Sequence, residues 1–269
     1  MTRTYVPARP ASTVLLLRDG PTGLEVYMQK RHAEMSFAAS AYIFPGGSMD
    51  DRDASDDAMQ LLSGVDMGQV AARMGFDAVG TGRRTCAALH VCAVREVVEE
   101  CGVLLARPVG GGQLSPDDAA KVHARLVAGG DFATEMERFG LRPAVEDLTY
   151  VAHFITPSGA PRRYDTRFFV AAVPPEQEAA LRGGEASDDG WYSSQSLLAG
   201  SESGALLLMP PTRILSAELS RHRNVAGLRA ELGSRPVPPI LFRLRSALSG
   251  PMPDHLPTAE EVAAMEEFE

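Results

Sequence analysis

Cysteine is scarce in this 269-residue chain, which has only Cys86, Cys92 and Cys101. So few thiols, in odd number, exclude a disulfide framework and point to a reducing compartment. Their spacing contains no Cys-x-x-Cys pair, which argues against a zinc site and leaves the reading of small buried hydrophobes. Positive charge is also short: 26 Lys plus Arg against 35 Asp plus Glu give a net charge of −9. Nucleic-acid backbone as the main partner requires a basic face and is not expected. An anionic small molecule would instead need a local remedy, either a metal ion or clustered arginines. Long apolar runs are missing too. The run Val14 to Leu17 is stopped by Arg18 and Asp19, too short for a signal peptide or a membrane span, and Glu267-Phe268-Glu269 is not a peroxisomal tripeptide. A cytoplasmic protein without a membrane partner is the expectation.

What is present is an ordinary globular composition, 45% hydrophobic, long enough to bury a core without staples. No internal repeat or linker divides it, so one domain over 1–269 is expected. Ser12 to Leu17 and Leu24 to Met28 read as strands of a hairpin, and Ala41 to Phe44 as a short apolar stretch stopped by Pro45-Gly46-Gly47. Residues 48–82 open with Asp50, Asp51, Asp53, Asp56 and Asp57 and read as an excursion with one helix around Ala58 to Met74. Arg83 to Cys101 lacks proline and glycine, repeats apolar residues at three and four, and is followed by Gly102, the strongest helix pattern in the chain. A strand is expected at Val103 to Leu105, and helices from Ser115-Pro116 and over Phe132 to Phe139. Further strands are read at Leu148 to Ile155, Arg167 to Val173 and Gly190 to Tyr192. Helices over Thr212 to His222 and Val225 to Leu232 precede a tail, 250–269, that ends acidic.

The chemistry concentrates in Arg95-Glu96-Val97-Val98-Glu99-Glu100-Cys101-Gly102-Val103. On a helix, Glu96 precedes Glu99 and Glu100 by three and four residues, so the three carboxylates share one side. Such a cluster is either a solvated charged face or a site for a divalent cation, and its hard oxygens suit Mg²⁺ or Mn²⁺. Acidic groups near a helix C-terminus oppose the macrodipole, which weakens a purely structural explanation.

The complete string resembles the end of the nudix box, Arg-Glu-aliphatic-x-Glu-Glu-x-Gly-aliphatic, and Pro45-Gly46-Gly47 resembles the loop that opens that box. The resemblance implies a nudix α/β/α sandwich around a mixed sheet. It also implies hydrolysis of a nucleoside diphosphate linked to another moiety, with Mg²⁺ or Mn²⁺ on Glu96, Glu99 and Glu100. The chain departs from the pattern in two ways. Arg95 follows Gly47 by 48 residues, 34 more than in the usual box, and the supporting glutamate expected eight residues before the arginine is Ala87. A box split by an insertion, together with FPGG, CAVREVVEECGVLL, ITPSGAPRRYDTRFF, GWYS and MPPT in that order, resembles the subgroup that includes peroxisomal coenzyme A diphosphatases of animals and their bacterial relatives. That subgroup implies a coenzyme A or acyl-coenzyme A substrate, split to adenosine 3′,5′-bisphosphate and a phosphopantetheine. Alternatives are an ADP-sugar or NADH pyrophosphatase and a non-catalytic nudix module that senses a nucleotide.

The roles follow from these patterns. Glu96, Glu99 and Glu100 are the metal ligands, and one of them, or a carboxylate from a later loop, acts as general base. Glu185 is the loop candidate, with Asp188 and Asp189 behind it. Arg95 either holds a glutamate or is a solvated helix residue. Gly46 and Gly47 shape the substrate loop. Arg162, Arg163 and Arg167 cluster around a turn as bidentate phosphate binders or as a solvated basic hairpin, and Arg31 is a further phosphate candidate. Trp191 and Tyr192 either stack on a base or fill the core. The function of the insertion, a homodimer contact among the options, stays open.

Overall fold

A computed structural model of the chain describes residues 6–35, 38–77, 79–182, 184, 186–241 and 253–267. Its centre is a nine-stranded mixed sheet built on β1 (Arg9–Gly20) and β2 (Gly23–Arg31), the expected hairpin with longer arms. One edge of β1 pairs in parallel with β8 (Tyr164–Ala172) from Arg9↔Tyr164 to Leu17↔Ala172. The other edge pairs with β2 at Leu17↔Val26 and, further along, with β4 (Gly46–Ser48) at Thr13↔Gly46. β2 continues onto β3 (Ala41–Ile43) and, on its opposite edge, onto β9 (Ala186–Ser193). β7 (Thr149–Ile155) is antiparallel to β8 and parallel to β11 (Pro239–Leu241), while β10 (Leu207–Leu208) closes the far side against β3.

Both faces of the sheet are covered, and strand alternation explains how. Val14 and Leu16 enter one core with Phe169 and the central helix α3 (Gly80–Cys101), whereas Leu15 and Leu17 enter a second core with α7 (Pro210–Leu219) and α8 (Val225–Ser234). α6 (Ser194–Glu202) contributes Leu197 to that second core. α3 is buried without a break from Cys86 to Val94, where Ala87, Ala88 and Ala93 permit close approach to β1. Ser12 Oγ donates to the Leu89 carbonyl at 2.6 Å, fixing helix to strand. The three cysteines are free and buried, as their scarcity suggested.

The residues between Ser48 and α3 pack into the first core. They form a 3-10 turn (Asp51–Ala54), α1 (Asp56–Gln60) and α2 (Met67–Arg73), which bury Ala58, Leu62, Met67, Ala71 and Met74 against α3. The single helix expected there is two, separated at Gly64, whose φ of +90° favours glycine. Val103 to Leu105 is not a strand. Leu104 is fully buried, and its backbone N–H and C=O are taken by the Gln177 side chain at 2.8 and 3.0 Å, so pairing begins only at β5 (Ala106–Pro108) with β6 (Leu141–Pro143). α4 (Pro116–Val127) and α5 (Phe132–Arg138) follow as expected. In the tail, Leu256 and Val262 are buried in the second core, the latter from α9 (Ala259–Glu267). No described helix is long and apolar enough to cross a membrane.

Candidate active site

α3 ends at Gly102, in the left-handed conformation (φ +71°), so Glu96, Glu99 and Glu100 occupy its last two turns. They face a cleft of about 1020 Å³ beside β4. Arg95 organises its floor. Its Nη1 donates to Glu96 Oε1 at 2.8 Å and to Glu99 Oε2 at 2.9 Å, and its Nε and Nη2 donate to the two carboxylate oxygens of Asp53 at 2.8 and 2.9 Å. Burial favours the neutral guanidine, but these carboxylates outweigh it and hold Arg95 firmly charged. Arg95 is thus a clamp on two glutamates, not a solvated helix residue.

Asp53 is the site residue that sequence reading missed. The usual box has its supporting carboxylate six residues after the glycine, and Asp53 is six residues after Gly47. Counting back from Arg95 had pointed to Ala87, so the acid seemed lost. It is present, and the 34 extra residues lie between it and Arg95. Its side chain is only 1% exposed. A reciprocal cap sets it: Asp53 Oδ2 accepts from the Asp50 N–H at 2.8 Å, and Asp50 caps the same turn.

The glycine loop is shaped by contact with the glutamates. Gly46 N–H donates to Glu100 Oε2 at 3.0 Å. A Cβ on Gly47 would lie 2.5 Å from Glu96 Oε1, so any larger residue there displaces the Glu96 carboxylate. Burial raises the Glu96 carboxyl to about 7, opposed by Arg95 and reinforced by Glu99. Asp53, Glu96, Glu99 and Glu100 outnumber the one guanidinium of Arg95 here, and hard carboxylate oxygens suit a divalent cation. Among the described residues no three His, Cys, Asp or Glu side chains form a ready-made metal cage. Glu96 and Glu99 are turned onto Arg95 and Glu100 onto the Gly46 amide; Glu99, 38% exposed, is more open than Glu96, 13% exposed.

The other candidates separate cleanly. Arg31, Gly46, Gly47 and Arg162 line the cleft with Glu96, Glu99 and Glu100. Arg163 and Arg167 do not, for a reason of parity: Tyr164, Thr166 and Phe168 of β8 point into the cleft, so the odd-numbered residues point away. Arg163 donates to the carbonyls of Thr156 and Val6 at 3.0 and 2.8 Å. Arg167 pairs with Asp165 and lies over the Phe76 ring. Glu185 is outside the described residues; ahead of it, Ala180 and Arg182 N–H donate to the Cys101 and Glu100 carbonyls at the end of α3. Asp189 accepts from Tyr27 Oη and from Leu181 N–H, an anchoring role. Trp191 packs edge-on to Tyr27 under the Arg18 guanidinium, and Tyr192 edge-on to Tyr42; neither lines the cleft. The cleft's remaining wall is apolar, with Ile43, Phe44, Phe154, Phe168, Leu208 and Met209.

Comparison with known proteins agrees with this geometry. The family model described as the NUDT19 Nudix domain matches residues 8–221. The acyl-coenzyme A diphosphatase NUDT19 of Gallus gallus is 26% identical over 57% of this chain and 50% of that protein, so the chain spans about half the length of this curated relative. The crystal structure of a NUDIX hydrolase from Alicyclobacillus acidocaldarius is 28% identical, covers 84% of this chain and 96% of that one, and superposes with a TM-score of 0.65.

Proposed function

The chain belongs to the nudix hydrolase family, and from that premise we propose that it is a metal-dependent pyrophosphatase acting on coenzyme A or an acyl-coenzyme A. One observation carries the substrate: the carboxylate floor and the apolar wall line the same cleft of about 1020 Å³, at the upper end of small-molecule sites. A polyanion with a long, less polar arm matches both surfaces. The Gallus gallus relative, an acyl-coenzyme A diphosphatase, supports the same choice.

Glu96, Glu99 and Glu100 would hold Mg²⁺ or Mn²⁺. When bound, such an ion shields the pyrophosphate charge and makes water a stronger acid. Asp53 fixes Arg95, and Arg95 fixes the orientation of Glu96 and Glu99. Water adds to one phosphorus as the bridging P–O bond breaks. One of the three glutamates, or Glu185, takes the water proton. Arg162 and Arg31 face the substrate's phosphates, and the wall of Ile43, Phe44 and Met209 takes the pantetheine arm and any acyl group.

The test is product analysis by mass with Mg²⁺ or Mn²⁺ on coenzyme A, acetyl-coenzyme A, NADH, ADP-ribose and diadenosine polyphosphates. Cleavage of coenzyme A to the bisphosphate, reduced at least ~100-fold in Glu99→Gln and Glu100→Gln, is expected. A preference for another compound would overturn the substrate and leave the hydrolase; binding without turnover would make the protein a sensor.

A further inference from the structure

Among the described residues four arginines line the cleft, Arg31, Arg52, Arg95 and Arg162. Resting on the nudix reading above, we propose that Arg52 is the side chain that grips the diphosphate being cleaved. Arg95 is committed elsewhere: its guanidinium already serves Asp53, Glu96, Glu99 and the Ser48 carbonyl. Arg31 ends β2 and Arg162 stands on the β7–β8 turn, elements that carry none of the carboxylates. Arg52 is next in sequence to Asp53. Its backbone N–H donates to Asp50 Oδ1 at 2.8 Å, and the turn is bolted to α3 through Asp53 and Arg95.

The backbone at Arg52 is thus fixed relative to the glutamates while its side chain, 70% exposed, has a single ion-pair contact, Nε to Asp50 at 3.3 Å. A rigid base with a lightly held guanidinium suits an anion that arrives from solvent, because the planar fork loses little freedom on pairing bidentately with phosphate. Charge points the same way. On this side of the cleft, among the described residues, Asp50, Asp53, Glu96, Glu99 and Glu100 face only Arg52 and Arg95. A diphosphate entering there meets repulsion that a divalent ion relieves in part, and Arg52 is the remaining cation on that side able to turn toward it.

The experiment is calorimetric titration of the full chain with adenosine diphosphate in Mg²⁺, alongside kcat/KM for coenzyme A and dephospho-coenzyme A. The proteins are the wild type, Arg52→Gln, Arg52→Lys and Arg83→Gln. Arg83 is exposed, lies outside the cleft and controls for the loss of one positive charge. We expect Arg52→Gln to weaken ADP binding about tenfold and to lower kcat/KM for both substrates by a similar factor. Arg52→Lys recovers part of the loss, and thermal stability is unchanged. ADP binding within twofold of wild type in Arg52→Gln, an equal loss in Arg83→Gln, or a kcat/KM loss confined to coenzyme A would overturn the assignment. If the wild type binds ADP but splits neither compound, the substrate reading fails while the titration still decides Arg52. No ADP binding by the wild type overturns both.

Discussion

Two arginine–aspartate pairs, each with a nearly buried guanidinium, lie on the α3 side of the same sheet and do different work. Arg95 and Asp53 meet bidentately beneath the cleft, and Arg95 spends its remaining donors on Glu96, Glu99 and the Ser48 carbonyl. Arg167 and Asp165 stand two residues apart on β8, joined by His153 across the register from Arg167 and covered by Phe76 from the inserted segment. The first pair orients two glutamates that line the cleft. The second seats the insertion on the sheet. Chemistry alone does not separate them; position does, since Asp53 and Arg95 line the cleft and Asp165 and Arg167 do not.

Breaking the first pair should have the largest effect. Asp53→Ala leaves the Arg95 guanidinium buried and short of a partner, which should cost about 3 kcal/mol in urea unfolding and roughly 10- to 100-fold in kcat as Glu96 and Glu99 lose their orientation. Unchanged kcat would mean that the clamp only stabilises. Arg167→Met breaks the second pair and should cost about 2 kcal/mol of stability, less because the Asp165 side chain is 29% exposed, with KM for the substrate unmoved. A raised KM would return Arg167 to the substrate.

Gly47→Ala separates the comparison further, since it places a methyl group against Glu96 without touching either arginine. Activity should fall about tenfold with the unfolding midpoint nearly constant, because the cost falls on carboxylate orientation. A parallel loss of stability would make the approach of β4 to α3 a packing feature instead.

The last effect is acid sensitivity, and it belongs to groups away from the cleft. Hydrogen bonds from His153 and Arg167 outweigh burial and hold the Asp165 carboxyl down at about 2, against an ordinary 3.8. The unfolded chain therefore binds that proton more readily, and the stability it contributes is present above pH 3.8 and lost as pH falls toward 2. Burial against Phe169 pushes His90 down from 6.5 to about 4, so stability also drains between those values as pH falls. Wild type should lose stability on acidification from pH 6.5 to pH 4, and His90→Gln should flatten that slope. An unaltered slope would place the acid sensitivity elsewhere.

Much was legible because it is local. The hairpin at Gly20–Gly23, the stop at Pro45-Gly46-Gly47, the long helix closed by Gly102 and its three glutamates each follow from propensity and period within one segment. Expectations failed where a partner from far away decided. Val103 to Leu105 was read as a strand until Gln177 took its backbone groups, and Arg163 and Arg167 were grouped with Arg162 because a turn brings all three together in sequence.

The sequence by itself determined the family, the three glutamates of the long helix and the glycines that approach them, since each depends on residue type at short spacing. Only the tertiary structure decided that Asp53 completes Arg95, that Arg162 and Arg52 face the cleft, and that the insertion joins the core. Asp53 and Arg95 are 42 residues apart along the chain, and which face of β8 a side chain takes depends on its register with β1 and β7. Such facts are properties of pairing between distant segments, whose free energy no local pattern encodes.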